Sequence, residues 1–259
     1  MDHFLENADP FTHYNAIVYD GLTPLMLCCQ YGLLDKIKLL LNNPMVDLNA
    51  KSLVRGETAL HLGVISGNVE VIKILGARTD LVWNAGDKEG KPAHFLALMD
   101  GNMELLQLLV STKIYGKFID WNIKIDGCPI IFTNFYWRTE AIRKRVDHQV
   151  TPGQRMAIFN LLLEIPSLDW NAKNTPGQTL LGLALDQQDV EMVLFLFEAP
   201  GLDFDVDQLS SMLISQSTIQ KCLTLLENRR QMTHVYSDAV NFLNAAKMFA
   251  LDIKHMQFV

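Results

Sequence analysis

The sequence predicts an all-α solenoid of stacked helix-turn-helix pairs with projecting β-hairpin loops, and three observations predict it. A phrase recurs: Gly21-Leu22-Thr23-Pro24-Leu25 returns as Gly56-Glu57-Thr58-Ala59-Leu60-His61, Gly90-Lys91-Pro92-Ala93-His94, Gly127-Cys128-Pro129-Ile130 and Gly177-Gln178-Thr179-Leu180-Leu181. Its Thr or Pro falls at 23, 58, 92, 129 and 179, which gives spacings of 35, 34, 37 and 50 residues. The loops that close the units also align: Asp47-Leu48-Asn49, Val82-Trp83-Asn84, Asp120-Trp121-Asn122, Asp169-Trp170-Asn171 and Asp203-Phe204-Asp205. A period of this length marks a stack of small units, none of which can bury its apolar face alone.

Each unit reads as turn, short helix, short helix and loop. In the second, Gly56 closes the turn and Thr58 offers its hydroxyl as a helix cap. Ala59-Leu60-His61-Leu62-Gly63-Val64 is the first helix, and Ser66-Gly67-Asn68 breaks it. Val69, Val71, Ile72, Ile74 and Leu75 form the apolar stripe of the second helix. The first unit follows the same plan, with Gly32 as breaker and Ile37, Leu39, Leu40 and Leu41 turned inward. The aromatic residues in the middle of four closing loops are expected to pack between neighbouring hairpins.

The fourth unit breaks the period. Its second helix, Met156 to Leu163, follows an insertion near residues 138–154 that carries Arg138, Arg143, Lys144, Arg145 and His148. Two readings stand for this basic stretch. It is a solvated loop or lengthened helix, or it is a contact for an acidic partner, because insertions in repeat arrays gather on one face.

The recurring phrase and its period resemble the ankyrin repeat over about residues 13 to 206. The resemblance divides the chain into an N-terminal cap or truncated repeat at 1–20 and five repeats at 21–206. A degenerate sixth repeat with C-terminal capping helices is expected at 207–259. It also implies protein binding through hairpin tips and the exposed ends of the first helices. The helix ends are Gln30 and Tyr31, Ile65 and Ser66, Met99 and Asp100, Tyr136 and Trp137, and Asp186 and Gln187. The tips include Arg55 and Glu57, Asp87 and Lys88, Lys124 and Asp126, and Asn174 and Gln178. Tyr31, Met99, Tyr136 and Trp137, with Arg143, Lys144 and Arg145, make the candidate partner-binding set, since aromatic, Met and Arg side chains enrich interface centres. The competing reading of Tyr136 and Trp137 is local core beneath the insertion. By the same resemblance His61 orders its turn by hydrogen bonding. His94 stands one position earlier when units are aligned on Thr58 and Pro92. Asn49 and Asn171 resemble substrates of the asparaginyl hydroxylase of the hypoxia response; the alternative is an amide that holds the hairpin.

Charge and motif content narrow the function further. The 22 Lys and Arg against 29 Asp and Glu give −7, which disfavours nucleic acid as a partner. No signal peptide is legible at Met1–Glu6, and apolar runs such as Met192–Phe197 are too short to span a bilayer. Cys28, Cys29, Cys128 and Cys222 lack Cys-x-x-Cys spacing and read as free, buried thiols, and there is no Asn-x-Ser/Thr sequon. Gly86 to Lys91 has one residue too few between its glycines for a phosphate loop, and Pro92 stands where Ser or Thr would hold magnesium. The expectation is a non-catalytic, cofactor-free monomer in the cytoplasm, with the nucleus as an alternative. It would bind a protein, one bearing an acidic patch in the second reading of the insertion, as adaptor, scaffold or inhibitor, without nucleic acid or membrane. The rival is a targeting module of an enzyme complex, or a microbial effector acting on host proteins.

Overall fold

Two residues decide how each first helix begins. A glycine in the left-handed region (Gly21, Gly56, Gly90 and Gly177, φ +73 to +86°) reverses the chain, and the N-cap residue two positions later is extended. At Gly21 and Gly56 the requirement is double, because a Cβ would also lie 3.1 Å from Leu53 Cβ and 3.0 Å from the Lys88 backbone, respectively. The residue three positions after the cap then suits it. Met26 Sδ lies 3.4 Å from the Thr23 N–H, and His61 Nδ1 accepts the Thr58 N–H at 3.1 Å. Pro92 has no N–H to satisfy, and the corresponding residue is the apolar Phe95. The expected hydroxyl cap at Thr58 is therefore joined to a bond in the opposite direction, from the Thr58 backbone to the His61 ring.

The computed structural model describes residues 14–111, 119–132, 152–203, 216–228 and 238–246. The chain divides into two compact units, Met1–Ile125 with Tyr136–Ile165, and Asp126–Phe135 with Pro166–Val259. In the first unit α1 (Pro24–Gln30) pairs with α2 (Leu34–Leu41), α3 (Ala59–Ile65) with α4 (Val69–Gly76), and α5 (Ala93–Asp100) with α6 (Met103–Val110). The first helices stack as α1, α3 and α5; the second helices stack as α2, α4 and α6. Two helical layers enclose the core, and each pair is covered by its neighbours.

A Schellman turn ends α1: Gly32 N–H reaches Cys29 O and Leu33 N–H reaches Cys28 O, with Gly32 at φ +65°. Ile37 and Leu40, three positions apart, are buried, but Leu39 is 62% exposed, which corrects its expected inward orientation. A residue two positions from Ile37 leaves the helix about 200° round, on the far side. In α4 the stripe falls on Val71, Ile72 and Leu75. Gly63 lets α3 and α4 approach, for a Cβ there would lie 3.0 Å from Val71 Cγ1.

The short strand β1 (Lys124–Ile125) ends the first part of unit one, and β2 (Cys128–Pro129) opens unit two after Asp126 and Gly127, both with positive φ. Ile130, Ile131 and Phe132 make a buried 3-10 turn. The rest of the fourth unit's first helix and the insertion through residue 151 lie outside the described residues. The second helix of that unit, α7 (Pro152–Leu162), packs on α6 and buries Ile158, Phe159 and Leu162.

In unit two α8 (Leu180–Asp186) pairs with α9 (Val190–Leu196), and α10 (Gln216–Asn228) packs on α9. The turn between α8 and α9 places Gln188 at φ +57° without a glycine. A helical stretch at 238–246 buries Ala239, Phe242, Leu243 and Ala246, the spacing of one helix face.

Candidate functional site

The closing loops are fastened to one another by a repeated device. In each, an Asp carboxylate accepts the N–H two residues on, as Asp47 does for Asn49, Asp120 for Asn122 and Asp169 for Asn171, all at 2.9 Å. The Asn side chain then reaches the next loop. Asn49 donates to Asp80 O at 2.8 Å and accepts Val82 N–H at 2.8 Å. Asn171 does the same in unit two with Gly201 O and Asp203 N–H, both at 2.7 Å. Asn15 repeats the pair with Met45 O and Asp47 N–H, and Asn84 Oδ1 accepts Asp120 N–H at 2.9 Å. The amides of Asn49 and Asn171 are thus engaged at both atoms in holding hairpins. Between the loops the aromatic positions are buried: Trp83, Trp121 and Trp170, with Trp121 on His94 and Trp170 edge-on to Phe195. Phe204 lies outside the described residues.

Backbone bonds carry the same order to the hairpin tips of unit one. Leu53 N–H donates to Gly21 O at 3.0 Å, and Lys88 N–H donates to Arg55 O at 2.9 Å. His61 ties α3 to the third hairpin, with Nε2 2.9 Å from Lys91 O. Since Nδ1 accepts the Thr58 N–H, that contact requires the neutral ring with its proton on Nε2. Burial keeps the His61 pKa below its ordinary value, against the opposite pull of the Lys91 carbonyl and of Asp87 and Glu57.

The candidate positions divide under this geometry. Tyr31 and Ile65, at the ends of α1 and α3, are exposed, and Met99 at the end of α5 is half-buried. Arg55 and Lys88 are exposed at tips, but Glu57 and Asn174 are buried, which corrects their placement at contact positions. Glu57 N–H is held by Ser52 Oγ, and Asn174 Oδ1 accepts Gln178 N–H, so both shape their hairpins from within. Tyr136, Trp137, Arg143, Lys144 and Arg145 lie outside the described residues. Sequence reasoning missed Tyr19, Leu53 and Val54, which are 69%, 61% and 64% exposed at the first two tips. The signal was present: large apolar residues stand at turn positions that elsewhere in the chain are polar.

Chemistry has few footholds among the described residues. No group of three or more His, Cys, Asp or Glu residues could hold a metal ion. All four cysteines are free, and burial pushes the Cys28, Cys29 and Cys128 thiols up and Cys222 to about 11, leaving them protonated at neutral pH. His94 is fully enclosed, and neither ring nitrogen makes a well-formed hydrogen bond, although the Asp120 backbone is close enough to favour its charged form. Burial outweighs that pull and lowers its pKa to about 3. No helix is long and apolar enough to cross a membrane.

Comparison with known proteins gives a consistent family. A model of ankyrin repeats in three copies matches residues 1–83. An ankyrin repeat protein of Fowlpox virus (strain NVSL), FPV031, is 31% identical over 104 residues, which is 39% of this chain and 29% of that protein. Ankyrin repeat and SAM domain-containing protein 6 of Rattus norvegicus is 36% identical over 110 residues, covering 41% of this chain and 12% of the relative. The chain therefore matches less than a third of these relatives' own lengths. The crystal structure of the ankyrin repeat domain of Bcl-3 superposes with a TM-score of 0.55 at 22% identity, covering 81% of this chain and 85% of that one. That last likeness is one of fold.

Proposed function

The chain is an ankyrin-repeat protein, and on that premise we propose that it is a non-catalytic protein-binding module acting as adaptor, scaffold or inhibitor. One observation carries the reading. Hydrogen-bonded hairpin tips present exposed Tyr19, Leu53 and Val54, while the first helices expose Tyr31 and Ile65. Contiguous exposed apolar surface marks interaction sites, and a pre-ordered ridge loses little freedom on binding. We place Met99 on the same surface. Tyr136 and Trp137 with Arg143, Lys144 and Arg145 belong to the proposal as a second contact. The module works as a monomer in the cytoplasm or nucleus.

Affinity capture from the native cell with the intact chain, followed by mass spectrometry, tests the reading. Tyr31→Ala and Trp137→Ala should each weaken capture of a specific partner while the melting temperature holds. Capture that persists in both, and in variants of the tips, would remove the reading. Hydroxylation at Asn49 and Asn171 is proposed as well. Incubation with the asparaginyl hydroxylase should add one oxygen at each and none at Asn84; unmodified peptides would remove that idea.

A further inference from the structure

We propose that the ridge formed by the first two hairpin tips docks an extended acidic segment of a partner protein, whose aromatic or aliphatic side chains cover Ile17, Tyr19, Leu53 and Val54. The proposal rests on the reading of the chain as a protein-binding module and names the chemistry of its partner. Ile17, Tyr19, Leu53 and Val54 are four of the ten large apolar side chains exposed among the described residues. They adjoin, because Leu53 N–H bonds Gly21 O and the Gly21 backbone abuts the Leu53 and Val54 side chains.

Charge selects the sign of the partner. Arg55, whose side chain is 75% exposed, has only a long 3.8 Å ion pair with the nearly buried Glu57. Lys51 and Lys88 point their ammonium groups at backbone carbonyls, Gly86 O at 2.6 Å and Leu53 O at 2.5 Å. A carbonyl anchors the cation without neutralising it. Asp20 is the carboxylate beside Tyr19, so the ridge carries three cations against Asp20 and Glu57, in a chain of net charge −7. Carboxylates of the second helices, Asp35, Glu70 and Glu104, stand in the first turns of α2, α4 and α6. There they complement the helix dipole and repel an acidic partner. An acidic segment is admitted at the ridge and turned away there, and the cations speed its approach.

The test uses a phage-displayed random peptide library selected on the intact chain, with affinities of enriched peptides read by fluorescence anisotropy. Enriched peptides should combine Asp or Glu with Trp, Phe or Leu. Leu53→Ser with Val54→Ser should weaken them about tenfold or more. Arg55→Glu should slow association and flatten its salt dependence. If the apolar double variant unfolds in a circular-dichroism melt, the highly exposed Arg55 substitution decides alone. Basic or uncharged selectants, or acidic ones indifferent to these changes, overturn the proposal. Peptides lost only on Tyr31→Ala or Ile65→Ser overturn the ridge but leave the binding-module reading standing. No enrichment at all overturns both. Sedimentation of the free chain as a dimer that the apolar double variant dissolves would assign the ridge to a second copy and overturn the acidic partner.

Discussion

His94 occupies, two residues after its N-cap, the position that Leu60 fills one repeat earlier and Leu25 one before that. An imidazole in a leucine slot brings two ring nitrogens into the core, and its packing on Trp121 at 5.0 Å leaves them poorly satisfied. The linkage follows from its pKa near 3 in the folded chain. The unfolded residue titrates near its ordinary value of about 6.5, so the unfolded state binds more protons between those limits. Stability from the neutral ring is intact above about pH 6.5 and falls as pH drops toward 3, by roughly 2 kcal/mol between pH 7 and pH 5. Urea melts at both pH values should show that loss, and His94→Leu should raise the midpoint at pH 7 and remove this part of the acid sensitivity. An unchanged pH dependence in the variant would place the acid-sensitive group elsewhere.

At the scale of the element, the hairpin is the piece that the helices do not hold. Its order comes from an Asp that shapes its own loop and an Asn that grips the next, a division repeated at Asn15, Asn49 and Asn171. Asn49→Ala removes two side-chain hydrogen bonds at a half-buried site and should cost about 1–2 kcal/mol. The loss should be local, visible as faster amide exchange at Val82, whose N–H the Asn49 amide accepts. Asn49→Asp keeps that acceptor but turns a carboxylate oxygen toward Asp80 O, so it should destabilise as well. A variant as stable as the parent would mean that backbone contacts alone fix the hairpins.

For the molecule as a whole, contacts between neighbouring repeats dominate, so protection should follow the number of neighbours. In unit one α3 is covered by α1 on one side and α5 on the other, and all its residues but Ile65 are buried. Hydrogen-exchange mass spectrometry should find the amides of α3 slower than those of α1, because opening α3 must break both interfaces. Faster exchange in α3 would contradict a stack stabilised by nearest neighbours. At this scale the net charge also acts: repulsion should be least, and self-association greatest, near the pI of about 5.5.

The sequence by itself determined the repeat, the helix pairs and the closing loops, because period, glycine breakers and N-cap residues are local features. Thr58, Gly32 and the Asp-x-Asn loops could be placed without coordinates since their partners lie within a few residues. The inward stripe of α4 was legible from spacing alone. Only the tertiary structure decided that Leu39 faces outward, that Glu57 and Asn174 are buried, and that His94 fills a leucine slot. Each depends on which neighbour covers a residue, and a repeat's neighbours lie more than thirty residues away along the chain. The candidate surface was half legible for the same reason. Tyr31 could be found from its place at a helix end, whereas Tyr19, Leu53 and Val54 form one surface only because Gly21 brings two distant turns into contact.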